Sequence, residues 1–323
     1  MPQTAFTVAC GLSLALLILP APWHIKARNA GTILYIAWSF VGNLVYLVNS
    51  IVWSGKRHNP APIWCDISTK IIIGLNVALP CVSLCIQRRL HQISRISQVQ
   101  TTYDQRRRQI YIDVSIGLGA PLLIMALHYI VQGHRFDIIE DYGCWPNTYV
   151  SWPAFVVLIP WATIFSTISL IYATLTFRNF LRRRSTFNEL LKSQNTGLSV
   201  NKYIRLMALA SLEMLFVFPM SVVVLVHNAS GRINPWISWE NTHYNFSRVG
   251  YISLFLFRLN RKNFILFELT RWCVPLSGFL FFLFFGMASE ARKQYKKTWN
   301  AIMRQLGITS PTLTFTEDRK DAP

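Results

Sequence analysis

Residues 62–90 read PIWCDISTKIIIGLNVALPCVSLCIQRRL, and this stretch decides the fold. An aromatic residue and a cysteine, Trp64 and Cys65, precede an apolar run that stops at Arg88 and Arg89. Ile67 to Ile86 is about twenty residues, or roughly 30 Å of helix, which matches the hydrocarbon thickness of a bilayer. By the positive-inside rule the arginine pair marks a cytoplasmic end. Cys65 then lies at the outer end, where disulfides persist. The segment reads as a membrane helix, tied down outside and presented to a partner inside.

Composition agrees. The chain has 323 residues, 52% of them hydrophobic and 14% charged, with mean hydropathy +0.31. A soluble domain averages nearer a quarter charged. Apolar residues come in blocks of about twenty rather than in short periodic faces, so the bilayer is the solvent. The net charge of +18 raises nucleic acid as a partner. The basic residues cluster between the apolar blocks, however, which favours loops facing anionic lipid and a cytoplasmic protein over nucleic acid. The six cysteines show no paired CxxC spacing, and there is no HExxH or Gly-rich phosphate loop, so no metal or cofactor is expected.

Working outward, the same reading gives an all-α membrane protein: a seven-helix bundle in a unit 1–290, with spans at 5–20, 30–53, 64–88, 111–132, 152–177, 204–227 and 265–288. The first run competes with a cleaved signal peptide, but its charges, Lys26 and Arg28, follow it, which argues for an uncleaved helix with its N-terminus outside. The inner segments then carry Arg88, Arg89, Arg95 and Arg106–Arg108, then Arg178, Arg182–Arg184, Lys192, Lys202 and Arg205. Acceptor tripeptides begin at Asn228 and Asn245 on the expected outside, and Asn245 is the one far enough from the membrane for glycosylation. Residues 291–307 place Tyr295, Trp299, Ile302 and Leu306 on one side, as an amphipathic helix on the inner leaflet, and 308–323 read as a disordered tail.

Several constellations are candidates for function. Cys65 and Cys144 are the cysteines on the outer side, either bridged or two free thiols; Cys10, Cys81, Cys85 and Cys273 read as buried small apolar residues. Ionisable residues inside spans are Lys70, Asp113, His128, Glu213, Glu268 and Arg271. Each must be paired or face a water-filled cavity. As a set they suggest a polar cavity opening outward, with Lys70, Glu213, Glu268 and Arg271 as ligand-binding candidates. Glu268 and Arg271, three apart, could instead neutralise each other, and Lys70 could pair with Asp66. Pro219 sits between a ligand-facing half and a basic inner end of its span and is the candidate hinge.

Seven spans, an outer N-terminus and basic inner loops suggest a G-protein-coupled receptor. PWHIKARNAG after span one, Trp38 with Asn43 and NSIVW in span two, PIWCDI and SLCIQRRL around span three, and FFGMASEARKQY closing span seven narrow this. Over roughly residues 5–300 the chain resembles the fungal lipopeptide mating-pheromone receptors, the a-factor-type class D receptors of basidiomycete mating-type loci. The resemblance implies a plasma-membrane receptor for a secreted peptide ending in a farnesylated, methyl-esterified cysteine, coupled to a heterotrimeric G protein. It implies that Arg88 and Arg89 face the G protein and that Cys65 anchors the outer loop. Separately, a swing of span six about Pro219 would open a basic cleft lined by Arg88, Arg89, Arg182, Arg183, Arg184 and Lys202. The tail reads as shorter than in many relatives. A homodimer is left open.

A transporter is the main rival, because intramembrane charges also couple ions; seven spans without a repeat argue against it. No Ser/His, paired-aspartate or metal arrangement supports an enzyme.

Overall fold

The computed structural model describes residues 2–26, 29–56, 58–95, 103–182 and 200–287, with Ala291, Tyr295, Trp299, Asn300, Met303 and Gln305 beyond them. Arg183, Arg184, the side chains of Lys202 and Glu213, most of the expected 291–307 helix and the whole 308–323 tail lie outside the described residues.

The chain opens with α1 (Pro2–Ile18) and α2 (Ala21–Lys26), followed by α3 (Ala30–Val52) and α4 (Pro62–Arg95). Next come α5 (Tyr103–Val114), a π-helical turn at Ser115–Gly119, α6 (Ala120–Leu127) and a 3-10 turn at His128–Val131. Strands β1 (Phe136–Ile139) and β2 (Gly143–Trp145) lead to α7 (Trp152–Val157), α8 (Trp161–Arg182) and α9 (Val200–Ser230). The remainder is α10 (Trp239–Thr242), β3 (Val249–Ile252), α11 (Leu254–Leu259) and α12 (Arg261–Phe281), which ends in a second π-helical turn. Among the described residues six helical stretches are long and apolar enough to cross a membrane; Gln3–Ile18 is apolar but shorter.

Helix α4 is the axis of the bundle and packs against α8, α3, α6 and α9. Small residues let it serve that role. A Cβ at Gly74 would meet Met125 Sδ at 2.6 Å, and one at Gly42 would meet Leu75 at 2.9 Å, so either would force the facing side chain to move. Polar residues on the helices find partners across the bundle. Trp38 Nε1 donates to the Gly117 carbonyl at 2.8 Å, inside the first π-helical turn, and Asn43 Nδ2 donates to the Val274 carbonyl of α12 at 3.3 Å. Asn49 accepts from Trp64 Nε1 at 2.7 Å.

Two corrections to the sequence reading follow. The protein is not purely helical: β1 pairs antiparallel with β2 and parallel with β3 in a three-stranded sheet of order β2-β1-β3. The turn between β1 and β2 needs left-handed backbone at Asp141 (φ 69°) and Gly143 (φ 82°), and Phe136, Ile138 and Cys144 are buried against Trp53 and Cys65. Strands of four and three residues are too short to show a period of two. Second, the arginine end is more helical than expected. Helix α4 runs to Arg95 because Leu90, His91 and Ser94 are buried, and Arg106–Arg108 lie on α5 rather than in a loop.

Candidate functional site

A disulfide joins Cys65 to Cys144 (Cα–Cα 5.2 Å), tying β2 to the start of α4 and holding the sheet over one end of the bundle. Beneath it is a cavity of about 420 Å³, walled by α4, the β2–α7 segment, α8, α9 and α12. From α9 the face Val217, Met220, Ser221, Val224 and His227 points inward, at spacings of three and four that put them on one side of a helix. Leu79 and Pro80, with Val217 and Val274, line it deep in the bundle, while Thr148, His227, Asn228 and Asn263 line it near the sheet. The result is an apolar floor below a polar mouth. Phe257, in the apolar stretch 251–257, lines the mouth as well.

Among the described residues no Lys, Arg, Asp or Glu walls this cavity. That differs from the polar cavity expected from Lys70, Glu268 and Arg271, and the reason is that buried charges have found partners instead. Arg271 Nη2 lies 3.2 Å from Glu268, both Arg271 amino groups donate to Gln3 Oε1 at 3.2 Å, and the guanidinium lies over the rings of Phe6 (3.7 Å) and Tyr142 (4.2 Å). Burial, and then the Glu268 carboxylate, push the Tyr142 phenol above its usual range. Lys70 does not use Asp66. Its Nζ donates to Gln132 Oε1 at 2.6 Å and lies 3.2 Å from His128 Nδ1, and His128 in turn contacts Thr148 at 3.0 Å. Asp66 is taken by Arg135 at 2.5 and 2.8 Å, a contact that raises the guanidinium pKa further. These groups brace the wall from behind. Cys273, expected to be buried, is half-exposed and lines the cavity.

At the opposite end Arg88 Nη2 donates to the buried carboxylate of Asp113 at 2.6 Å, joining α4 to α5. Arg89 donates to Asn29 Oδ1 at 2.8 Å. Both guanidinium groups are drawn into the bundle, whereas Arg182 is exposed at the end of α8. Tyr203 on α9 donates to the Leu90 carbonyl of α4 at 3.2 Å. Asp113 and Tyr203 were not foreseen as partners. The signal for Asp113 was present, since a carboxylate within a span calls for a cation and Arg88 is near the same end. Pro219 lies inside an unbroken α9, with Thr163 Oγ1 donating to the Ser221 carbonyl at 3.1 Å just beyond it. Asn245 is exposed, with left-handed backbone (φ 51°), on the same side of the bundle as the sheet.

The chain is 41% identical over 313 residues to the pheromone B alpha 3 receptor of Schizophyllum commune, covering 97% of this chain and 50% of that protein. It is 33% identical over 292 residues to pheromone receptor 1 of Ustilago hordei, covering 90% of this chain and 80% of that one. It is 27% identical over 303 residues to the pheromone a factor receptor of Saccharomyces cerevisiae, covering 93% and 62%. The chain spans about half the length of the Schizophyllum receptors it matches. Residues 5–306 match the family described as STE3, pheromone A receptor, and the chain belongs to that family as a multi-pass membrane protein.

Proposed function

We propose that the protein is a seven-span plasma-membrane receptor for a secreted peptide with a farnesylated, methyl-esterified C-terminal cysteine, and that it activates a heterotrimeric G protein. The observation that carries this reading is the cavity: an apolar floor at Leu79, Pro80, Val217 and Val274 under a polar mouth. A prenyl chain of about fifteen carbons gains roughly 0.8 kcal/mol per buried CH₂, a gross gain of order 10 kcal/mol. Ordering the peptide offsets much of that. The prenyl chain occupies the floor and the peptide meets the mouth.

The disulfide end faces outside, where such a bond persists, and the arginine end faces the cytoplasm. The accessible Asn245 acceptor at the disulfide end supports that orientation. Helix α1, at 17 residues or about 25 Å, is the remaining span.

The floor lies beside Pro219, where α9 lacks one backbone hydrogen bond. Ligand on the floor favours a state in which the lower half of α9 swings about Pro219, lifts Tyr203 from the Leu90 carbonyl and opens the basic cleft of Arg182, Arg183, Arg184 and Lys202. The ligand shifts that equilibrium only by its differential affinity for the two states. Arg88 and Arg89 join the cleft once their present partners separate.

Nucleotide exchange on the receptor in membranes, driven by synthetic prenylated peptides, tests this. Val217→Trp fills the floor and should raise the half-maximal peptide concentration by about a hundredfold or more at unchanged surface expression. An unshifted dose–response curve counts against the floor as the prenyl site.

A further inference from the structure

From Ile72 to Gln87 every residue of α4 is buried except one: Asn76 is exposed, and it is exposed into the cavity. A carboxamide at this depth, flanked by Ile73, Val77 and Leu79 on the same wall, is costly unless something satisfies it. Its side chain has no hydrogen-bond partner among the described residues. The other polar side chains at this depth are already engaged. Thr270 Oγ1 donates to the Leu266 carbonyl at 2.8 Å, and Ser221 Oγ donates to the Phe218 carbonyl at 2.8 Å.

A second observation converges on the same residue. Pro80 is four residues beyond Asn76 inside α4. Proline has no N–H, so the Asn76 main-chain carbonyl loses its helical donor. One residue therefore presents to the cavity a two-proton donor, Nδ2, and two acceptors, Oδ1 and the main-chain oxygen. It does so at the level where the apolar floor begins.

We propose that Asn76 reads the acyl terminus of the ligand's lipidated residue. Nδ2 donates to the carbonyl of the terminal ester, and the N–H of the same ligand residue donates to an Asn76 oxygen. The inference rests on the proposed lipopeptide reading and adds to it the group that distinguishes a capped lipidated cysteine from a bare prenyl chain. A donor–acceptor pair at the base of an apolar slot fixes both the depth and the direction of the chain. Such a site discriminates against an analogue that lacks the carbonyl, because Nδ2 is then left unpaired where the bound prenyl chain has displaced water.

The test compares two probes on the full chain in lipid nanodiscs: N-acetyl-S-farnesylcysteine methyl ester and N-acetyl-S-farnesylcysteamine, which keeps the amide and the prenyl thioether but lacks the ester. Affinity is read from ligand-induced thermal stabilisation. The wild type should bind the ester about tenfold more tightly. Asn76→Leu should bind both probes alike, at the affinity of the cysteamine, with a melting temperature equal to or above wild type. Asn76→Ala, which removes the donor without filling the space, should also lose the discrimination. Equal binding of the two probes by the wild type overturns the assignment, as does retained discrimination in Asn76→Leu. A fall in melting temperature with equal weakening of both probes, or failure of both variants to fold, marks a structural role and overturns it too. If neither probe stabilises the wild type, the lipopeptide reading itself falls.

Discussion

Replacing Cys144 with alanine is expected to abolish the response to ligand and to remove most receptor from the cell surface. The Cys65–Cys144 bond closes a loop of 79 residues in sequence separation. For a closed loop of that size the chain-entropy relation gives about 4–5 kcal/mol, and loss of a native bridge typically costs about 2–5 kcal/mol. The local consequence is as large. Without the bond β2 is anchored through its pairing with β1, through the cluster that Cys144 shares with Trp53, Phe136 and Ile138, and through the Asn49 donation from α3 to the Cys144 carbonyl at 3.3 Å. β2 also carries Trp145 into the cavity wall, so the mouth loses its shape with the bond. Cys65→Ala should give the same loss, and the double variant should be no worse than either single one, because the two sulfurs act as one unit. Surface labelling and thermal melts of the three variants check this; additive losses would show that the cysteines contribute separately.

Arg88→Met is expected to destabilise the receptor by about 3–5 kcal/mol, because it strands the Asp113 carboxylate inside the bundle. The carboxylate side chain is 2% exposed and its hydrogen bond to Arg88 is 2.6 Å long. Converting both residues, Arg88→Met with Asp113→Leu, should recover most of that stability, since apolar groups of similar volume replace a buried ion pair at little cost. The double variant also separates two roles for Arg88. If the guanidinium meets the G protein after activation, nucleotide exchange stays about tenfold below wild type although the melting temperature has returned. If the single variant melts with wild type, the pair is not what holds α4 to α5.

Much of this was legible in the sequence, for identifiable reasons. Helix α4 announces itself because a twenty-residue apolar run is bounded by Cys65 and by Arg88-Arg89, and both boundaries carry chemistry that the bilayer sorts. Asn43 and Asn49 bridge to other elements, as polar residues in apolar helices must. What escaped is what depends on pairing across the bundle. Lys70 lies one helical turn from Asp66, yet Asp66 goes to Arg135, 69 residues away, and Lys70 goes to Gln132 and His128. Local spacing cannot rank such competitors. The Arg88–Asp113 pair spans 25 residues and two helices. The residues that line the cavity escaped for the opposite reason: its floor is Val, Leu and Pro, indistinguishable in sequence from residues that face lipid. Val217 and Met220 line it, while Leu215 and Phe216 beside them are exposed on the outer surface of the helix. Asn76 is the exception, a lone amide in an apolar run, and it marks the cavity wall in the sequence itself.

The central claim is that the prenyl chain of the ligand lies on the floor of this cavity. A farnesyl analogue carrying a diazirine at its far end, attached to an activating peptide and photolysed on the receptor in membranes, addresses it directly. Peptide mapping should place the adducts on Leu79, Val217, Met220 or Val274, with labelling suppressed by excess unmodified ligand. Adducts confined to the outer surfaces of the helices, at Leu215, Phe216, Val223 or Val226, would contradict it.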